Sequence, residues 1–270
     1  MGLLTLDVTS FGVVMSSDSQ PVEIVPGAVR ALNVQGQRRR DRIIERHSGG
    51  FDGLIGYVGT ETIGAAPTRT FLEGFNTRHP DLSLAEFAMR LASELSSDWV
   101  EHALATGLWI FLAGAENGEL RFWWLFNGQM EAGHYVNLRP SFRAVNDLDE
   151  DAIPRMMREH GLVSKTAVLD RIALFFRNGA LEPSALVLDD FTNIIGKLYS
   201  GAYPGFCPIA SLAEYASFVR MRQEFVKRIF DRAKGIHRGG DPPIGGVVYV
   251  RSVSPTGAIT SHGKDARRPG

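Results

Sequence analysis

The 270-residue chain reads as an α+β protein, a four-layer αββα sandwich of two antiparallel sheets stacked face to face with helices on both outer surfaces. Three observations predict this. The order is strands, two helices, strands, helices and a closing hairpin, whereas a doubly wound fold alternates strand and helix throughout. The two firmest helices each open with a capping box, Ser83 with Glu86 and Ser211 with Glu214, ahead of an apolar stripe. The remaining apolar runs are short and bounded by glycine or polar turns, as strands are.

Each element has its own signal. Leu3–Val8 reads as a strand, Thr9-Ser10 as a polar turn, and Phe11–Ser17 as a second strand ending in Asp18-Ser19. Gln20–Gln37 holds two prolines and two glycines and reads as loop and edge strand. A basic run, Arg38-Arg39-Arg40, precedes a half-buried strand at Asp41–Arg46, and Gly53–Gly59 reads as a buried strand. Thr60–Arg78 is expected as a helix with Pro67 near its first turn, Phe71, Leu72 and Phe75 sharing a face. In the helix after Ser83, Leu84, Phe87, Ala88, Leu91 and Leu95 form the stripe. Strands follow at Gly107–Gly114 and Gly118–Phe126, joined by Ala115-Glu116-Asn117, with a weaker one at Ser141–Val145.

An added helical segment is expected at about 147–208, with helices at Glu150–His160, Ser164–Arg177 and Pro183–Tyr199. The helix after Ser211 runs to about Lys234, with Tyr215, Phe218, Val219, Phe225, Val226 and Ile229 inward. Ile244–Arg251, a Ser254–Gly257 turn and Ala258-Ile259 close the chain. Residues 1–261 are read as a single domain and 262–270 as a disordered tail.

Composition narrows the function classes. A formal net charge of -1 gives no global field toward nucleic acid or an anionic membrane, and neither is expected as a partner. No unbroken apolar window reaches the length of a membrane helix, and Asp7 interrupts the first apolar stretch, which is not read as a secretory leader. The lone Cys207 excludes an intramolecular disulfide, and a cytoplasmic location is expected. The seven histidines are scattered with no metal-ligand spacing, and no metal or cofactor is expected. Phe122-Trp123-Trp124 reads as core and interface, and the triple arginine as a solvated loop or a contact for an acidic patch.

Three separated blocks carry a family resemblance: the opening hairpin with Gly12-Val13-Val14 and Asp18-Ser19, the run from Arg42 through Phe75, and Asp241-Pro242-Pro243-Ile244-Gly245-Gly246. In that order they resemble the proteasome-type subunits of the N-terminal-nucleophile (Ntn) hydrolases. The resemblance implies a terminal threonine nucleophile sixteen residues before the site aspartate, a lysine on the strand that starts near Arg40 to Arg42, and two site serines. Here the aspartate is Asp18, and the nucleophile's place falls on Gly2, which has no side chain to attack with. No lysine precedes Lys165; Arg42 stands in that region and cannot shuttle a proton, although it could hold Asp18 as an ion pair. Arg143–Asp147 lacks the family's Gly-Ser pair, and Ile244 replaces the serine of the Asp-x-x-Ser-Gly-Gly element that begins at Asp241.

The vestigial positions Gly2, Asp18, Arg42, Asp241 and Ile244 thus keep what turns need and lack what a reaction needs. No catalytic residue is assigned. The reading is a non-catalytic, proteasome-subunit-like protein acting by ring assembly, by association with related subunits or by binding another protein. The competing reading is a threonine- or serine-type Ntn peptidase or amidohydrolase whose nucleophile is unrecognised or is exposed by processing at Thr5, Thr9 or Ser10.

Overall fold

The computed structural model describes residues 3–9, 11–19, 22–25, 28–31, 41–98, 107–131, 134–146, 163–168, 171–179, 209–232 and 244–263. β1 (Leu3–Thr9) and β2 (Gly12–Ser17) form the opening hairpin, and β3 (Val22–Val25) and β4 (Ala28–Ala31) a small separate one. β5 (Ile43–Arg46) and β6 (Asp52–Gly59) follow, then a two-stranded ribbon of β7 (Thr62–Ile63) and β8 (Ala66–Pro67). Next come α1 (Thr68–Arg78), α2 (Leu84–Asp98), β9 (Leu108–Glu116), β10 (Glu119–Glu131) and β11 (His134–Asn146). β12 (Val163–Val168), β13 (Arg171–Gly179), α3 (Leu212–Arg232), β14 (Tyr249–Val253) and β15 (Ile259–Ser261) complete the order.

Two main sheets result. One has six strands in the order β12-β13-β1-β2-β14-β15, the other five in the order β11-β10-β9-β6-β5. Every pairing within them is antiparallel. Strand alternation sorts the apolar residues into layers. Leu4, Leu6, Val13 and Met15 of the first sheet meet Leu54, Val58, Trp109, Phe111 and Trp124 of the second in one core. The opposite faces of the second sheet's strands, Ile55, Tyr57, Ile110, Leu112 and Leu125, pack under Leu72 and Phe75 of α1 and Phe87, Leu91 and Leu95 of α2. Behind the first sheet, α3 lays Tyr215, Ala216 and Val219 on Val14 and Val250, and Val226 and Phe230 on Leu3 and Ile244. Helix, sheet, sheet, helix is the expected layering.

Local chemistry places the boundaries. Ser83 and Glu86 form the reciprocal capping box: the Glu86 N–H donates to Ser83 Oγ at 3.2 Å and the Ser83 N–H to Glu86 Oε2 at 3.0 Å. At α3 the Glu214 N–H donates to Ser211 Oγ at 3.2 Å, while the returning bond comes from Ala210 N–H at 2.7 Å rather than from Ser211. The β9–β10 turn is Asn117-Gly118, both at positive φ (53° and 80°), one residue later than expected; this is the geometry that fits the twist of a tight hairpin.

Four expectations are corrected. The helix expected over Thr60–Arg78 begins only at Thr68, because Thr62–Pro67 turns back as β7 and β8 and Pro67, extended at ψ 137°, stands just before the first turn. The helix expected over Ser164–Arg177 is the β12–β13 hairpin, so the described part of the 147–208 segment is strand. Its run Ile172-Ala173-Leu174-Phe175-Phe176 suits either period, and pairing with β1 decides in favour of strand. The closing strand starts at Tyr249, not Ile244. On α3 Phe225 points outward instead of inward, its place on the sheet side being filled by Arg222, Gln223 and Val226. The helices expected at Glu150–His160 and Pro183–Tyr199, and the tail beyond 263, lie outside the described residues.

Candidate functional site

Asp18 follows β2 at the end of the six-stranded sheet where β1 begins. It is buried, and its two carboxylate oxygens hold two separate chain segments. Oδ1 accepts from the Leu3 N–H at 2.8 Å and Oδ2 from the Gly245 N–H at 2.7 Å, while the Asp18 N–H donates to the Leu3 carbonyl at 3.2 Å. Ser19 continues the stitch, its Oγ accepting from Val247 N–H at 2.9 Å. Burial pushes the Asp18 carboxyl up to about 6, against the positive charge of Arg42 and the two backbone donors, which pull it down. Asp18 is therefore a clasp that fixes the start of β1 against the 244–247 segment, more than part of a turn.

The other expected site positions fall around it unequally. Arg42 lies just before β5, buried, and its Nη2 pairs with Glu61 Oε1 at 2.9 Å; toward Asp18 it acts through its charge. Ile244 is buried among Leu3, Val226 and Phe230, so an apolar side chain fills the position where the resemblance implies a serine. Gly2 and Asp241 lie outside the described residues, as do Ser10 and Cys207. Thr5 is fully buried in mid-strand, its hydroxyl 2.6 Å from that of Ser16. Thr9 ends β1, its Oγ1 donating to the Gly12 carbonyl at 2.8 Å and accepting from Phe11 N–H at 3.1 Å. Both hydroxyls serve the hairpin.

A polar cluster that sequence reasoning missed lies between the same sheet and α3. Arg222 meets Asp7 through two parallel bonds, and the Tyr215 hydroxyl donates to Asp7 Oδ1 at 3.0 Å. Arg222 Nη2 also reaches Thr5 Oγ1 at 3.3 Å. One signal was available: Arg222 falls three residues after Val219 and four before Val226, on the stripe that faces inward. Asp7 was visible only as the charge that interrupts the first apolar run.

An open groove of about 400 Å³ runs between β5 and α1, lined by Ile43, Glu45, Arg69, Glu73 and Arg251 among others. Its charges are matched internally, Arg69 with Glu73 at 2.7 Å and Arg251 with Glu45 at 2.6 Å. Among the described residues no group of three His, Cys, Asp or Glu is placed to hold a metal ion, and no helix is long and apolar enough to cross a membrane.

No model of a known protein family matches the chain, and no curated protein matches it. Solved structures do. One is a mutant of Anbu from Hyphomicrobium sp. strain MC1, similar with a TM-score of 0.53 and 11% identity over 99% of this chain and 89% of that one. At that identity the likeness is one of fold, and the fold is the one the sheets and helices already describe: a four-layer αββα sandwich of two antiparallel sheets.

Proposed function

We propose that this protein is a non-catalytic, proteasome-like subunit that works through self-association or association with related subunits. The observation that carries this reading is Ile244, an isoleucine buried against Leu3, Val226 and Phe230 where a hydroxyl would serve the reaction. The position aligned with the nucleophile is Gly2, and no lysine stands before Lys165. An Ntn reaction needs a nucleophile, a group to take its proton and oxyanion donors. Asp18, retained with its charge as Asp241 is, holds backbone with both oxygens. What persists supports a scaffold. Scaffolds of this fold work by presenting their surfaces to one another.

Two measurements test the proposal. Light scattering on the eluting protein is expected to show a large symmetric oligomer, and a monomer overturns the assembly role. Incubation with a peptide epoxyketone, which reacts with a terminal amine and hydroxyl together, is expected to leave the intact mass unchanged. An adduct, or turnover of fluorogenic peptides that an N-terminal extension abolishes, overturns the non-catalytic reading.

A further inference from the structure

Helix α3 carries a second apolar feature on the side away from its sheet. Met221 is 55% exposed and Phe225 46%. Four residues apart, they share one face. A single exposed apolar side chain is ordinary, but two bulky neighbours on a helix whose other side already fills a core form a patch. Charged residues extend the same line: Glu214 toward the N-terminal end, Arg228 and Arg232 toward the C-terminal end. At 100° per residue, positions 214, 218, 221, 225, 228 and 232 fall within a stripe roughly 80° wide and about 27 Å long.

The order along this stripe selects its occupant. Residues 214 and 232, 218 and 228, and 221 and 225 all share one midpoint, residue 223. An antiparallel copy of the helix centred there sets Glu214 opposite Arg232, the half-buried Phe218 opposite Arg228, and Met221 opposite Phe225, each twice. A parallel copy would set arginine on arginine and glutamate on glutamate. Self-complementarity about one point is what a two-fold interface requires. We propose that this face of α3 docks on the same face of a second copy of the chain, with the two-fold axis crossing the outer face at the level of residue 223. The inference rests on the self-association proposed above and names the surface that performs it: apolar centre, opposite charges at the ends.

The test uses the full chain. Met221→Asp with Phe225→Asp places four charges at the centre of the contact, on a face outside the core, and is expected to halve the mass seen by light scattering. Circular dichroism and thermal unfolding like the parent's confirm that the fold is kept. In a Cys207→Ser background, Met221→Cys with Phe225→Cys is expected to give a covalent dimer under mild oxidation, because the two positions face each other across the axis. An oligomer whose mass ignores the aspartates and whose cysteines do not cross-link overturns the α3 contact and leaves self-association standing. A monomeric parent chain overturns both.

Discussion

Arg222 on α3 grips Asp7 on β1 through two parallel bonds, Nη1 to Oδ1 at 2.8 Å and Nη2 to Oδ2 at 2.7 Å, with both side chains essentially out of water. Desolvating two charges is costly, and the fork geometry, with Tyr215 and Thr5 as further partners, offsets that cost. Removing one partner leaves a buried charge alone. Arg222→Met is expected to lower stability by about 3–5 kcal/mol in urea unfolding. Replacing both, Arg222→Met with Asp7→Leu, is expected to recover most of that loss. A single variant within about 1 kcal/mol of the parent would show that water reaches the pair.

Asp18 makes stability depend on pH. Its carboxyl titrates near 6 in the folded chain, against an ordinary value of 3.8. Between those values the folded chain holds a proton that the unfolded chain has released, so this contribution is fully present below about pH 4 and is lost as pH rises to about 6. Its size is on the order of 3 kcal/mol. Asp18→Asn removes the titration while leaving only one oxygen for the two backbone donors. Urea midpoints for the parent and the variant between pH 4 and 7 are expected to differ in slope, the parent falling relative to the variant. Parallel curves would place the titration elsewhere.

Gly246 sits beside the same clasp at a φ of +76°, and a Cβ there would lie 2.2 Å from Ser19 Oγ. Gly246→Ala therefore meets both a left-handed backbone and a side chain already bound to Val247 N–H. The expected loss is about 2 kcal/mol or more, read as a drop in thermal midpoint. Gly64, also left-handed but with nothing within 4 Å of a Cβ, serves as the control and is expected to lose less.

Arg46 on β5 is buried beneath the turn between α1 and α2. Its Nη2 donates to the carbonyls of His79 and Pro80 at 3.0 Å each, Nη1 bonds Asn76 Oδ1, and the guanidinium lies 4.3 Å from the Phe51 ring centre and 4.6 Å from that of Phe87. An ammonium cannot make this planar set of contacts. Arg46→Lys is expected to cost about 2 kcal/mol in chemical unfolding despite keeping the charge. An unchanged midpoint would assign the stability there to the aromatic packing alone.

The parts of the fold that local chemistry dictates were legible in the sequence. Ser83 with Glu86 and the glycine-bounded apolar run at 107–114 placed the start of α2 and the strand β9 within two residues, because caps and turn residues act over a few positions. β12 and β13 were not legible. Ile172–Phe176 is apolar throughout, and what makes it a strand is the edge that β1 offers from more than 160 residues away. The site divides in the same manner. Asp18 stood out by its spacing from the glycine–valine strand, but its real partner, Gly245 N–H, is supplied by the far end of the chain. Arg222 has its partner, Asp7, 215 residues away, which no local pattern on the helix reveals.

The placement of β1 has a consequence for how the molecule comes into being. During synthesis β1 can pair with β2 at once, yet its other edge waits for Arg171–Gly179, its buried acid for Arg222, and its starting residue for the clasp that Gly245 completes. An apolar hairpin with an open edge thus stands exposed until β13 has been made, at a rate of about 5–20 residues per second. β1 is made before β13, Arg222 and Gly245, the groups that shelter it, and so is among the last of these strands to be enclosed.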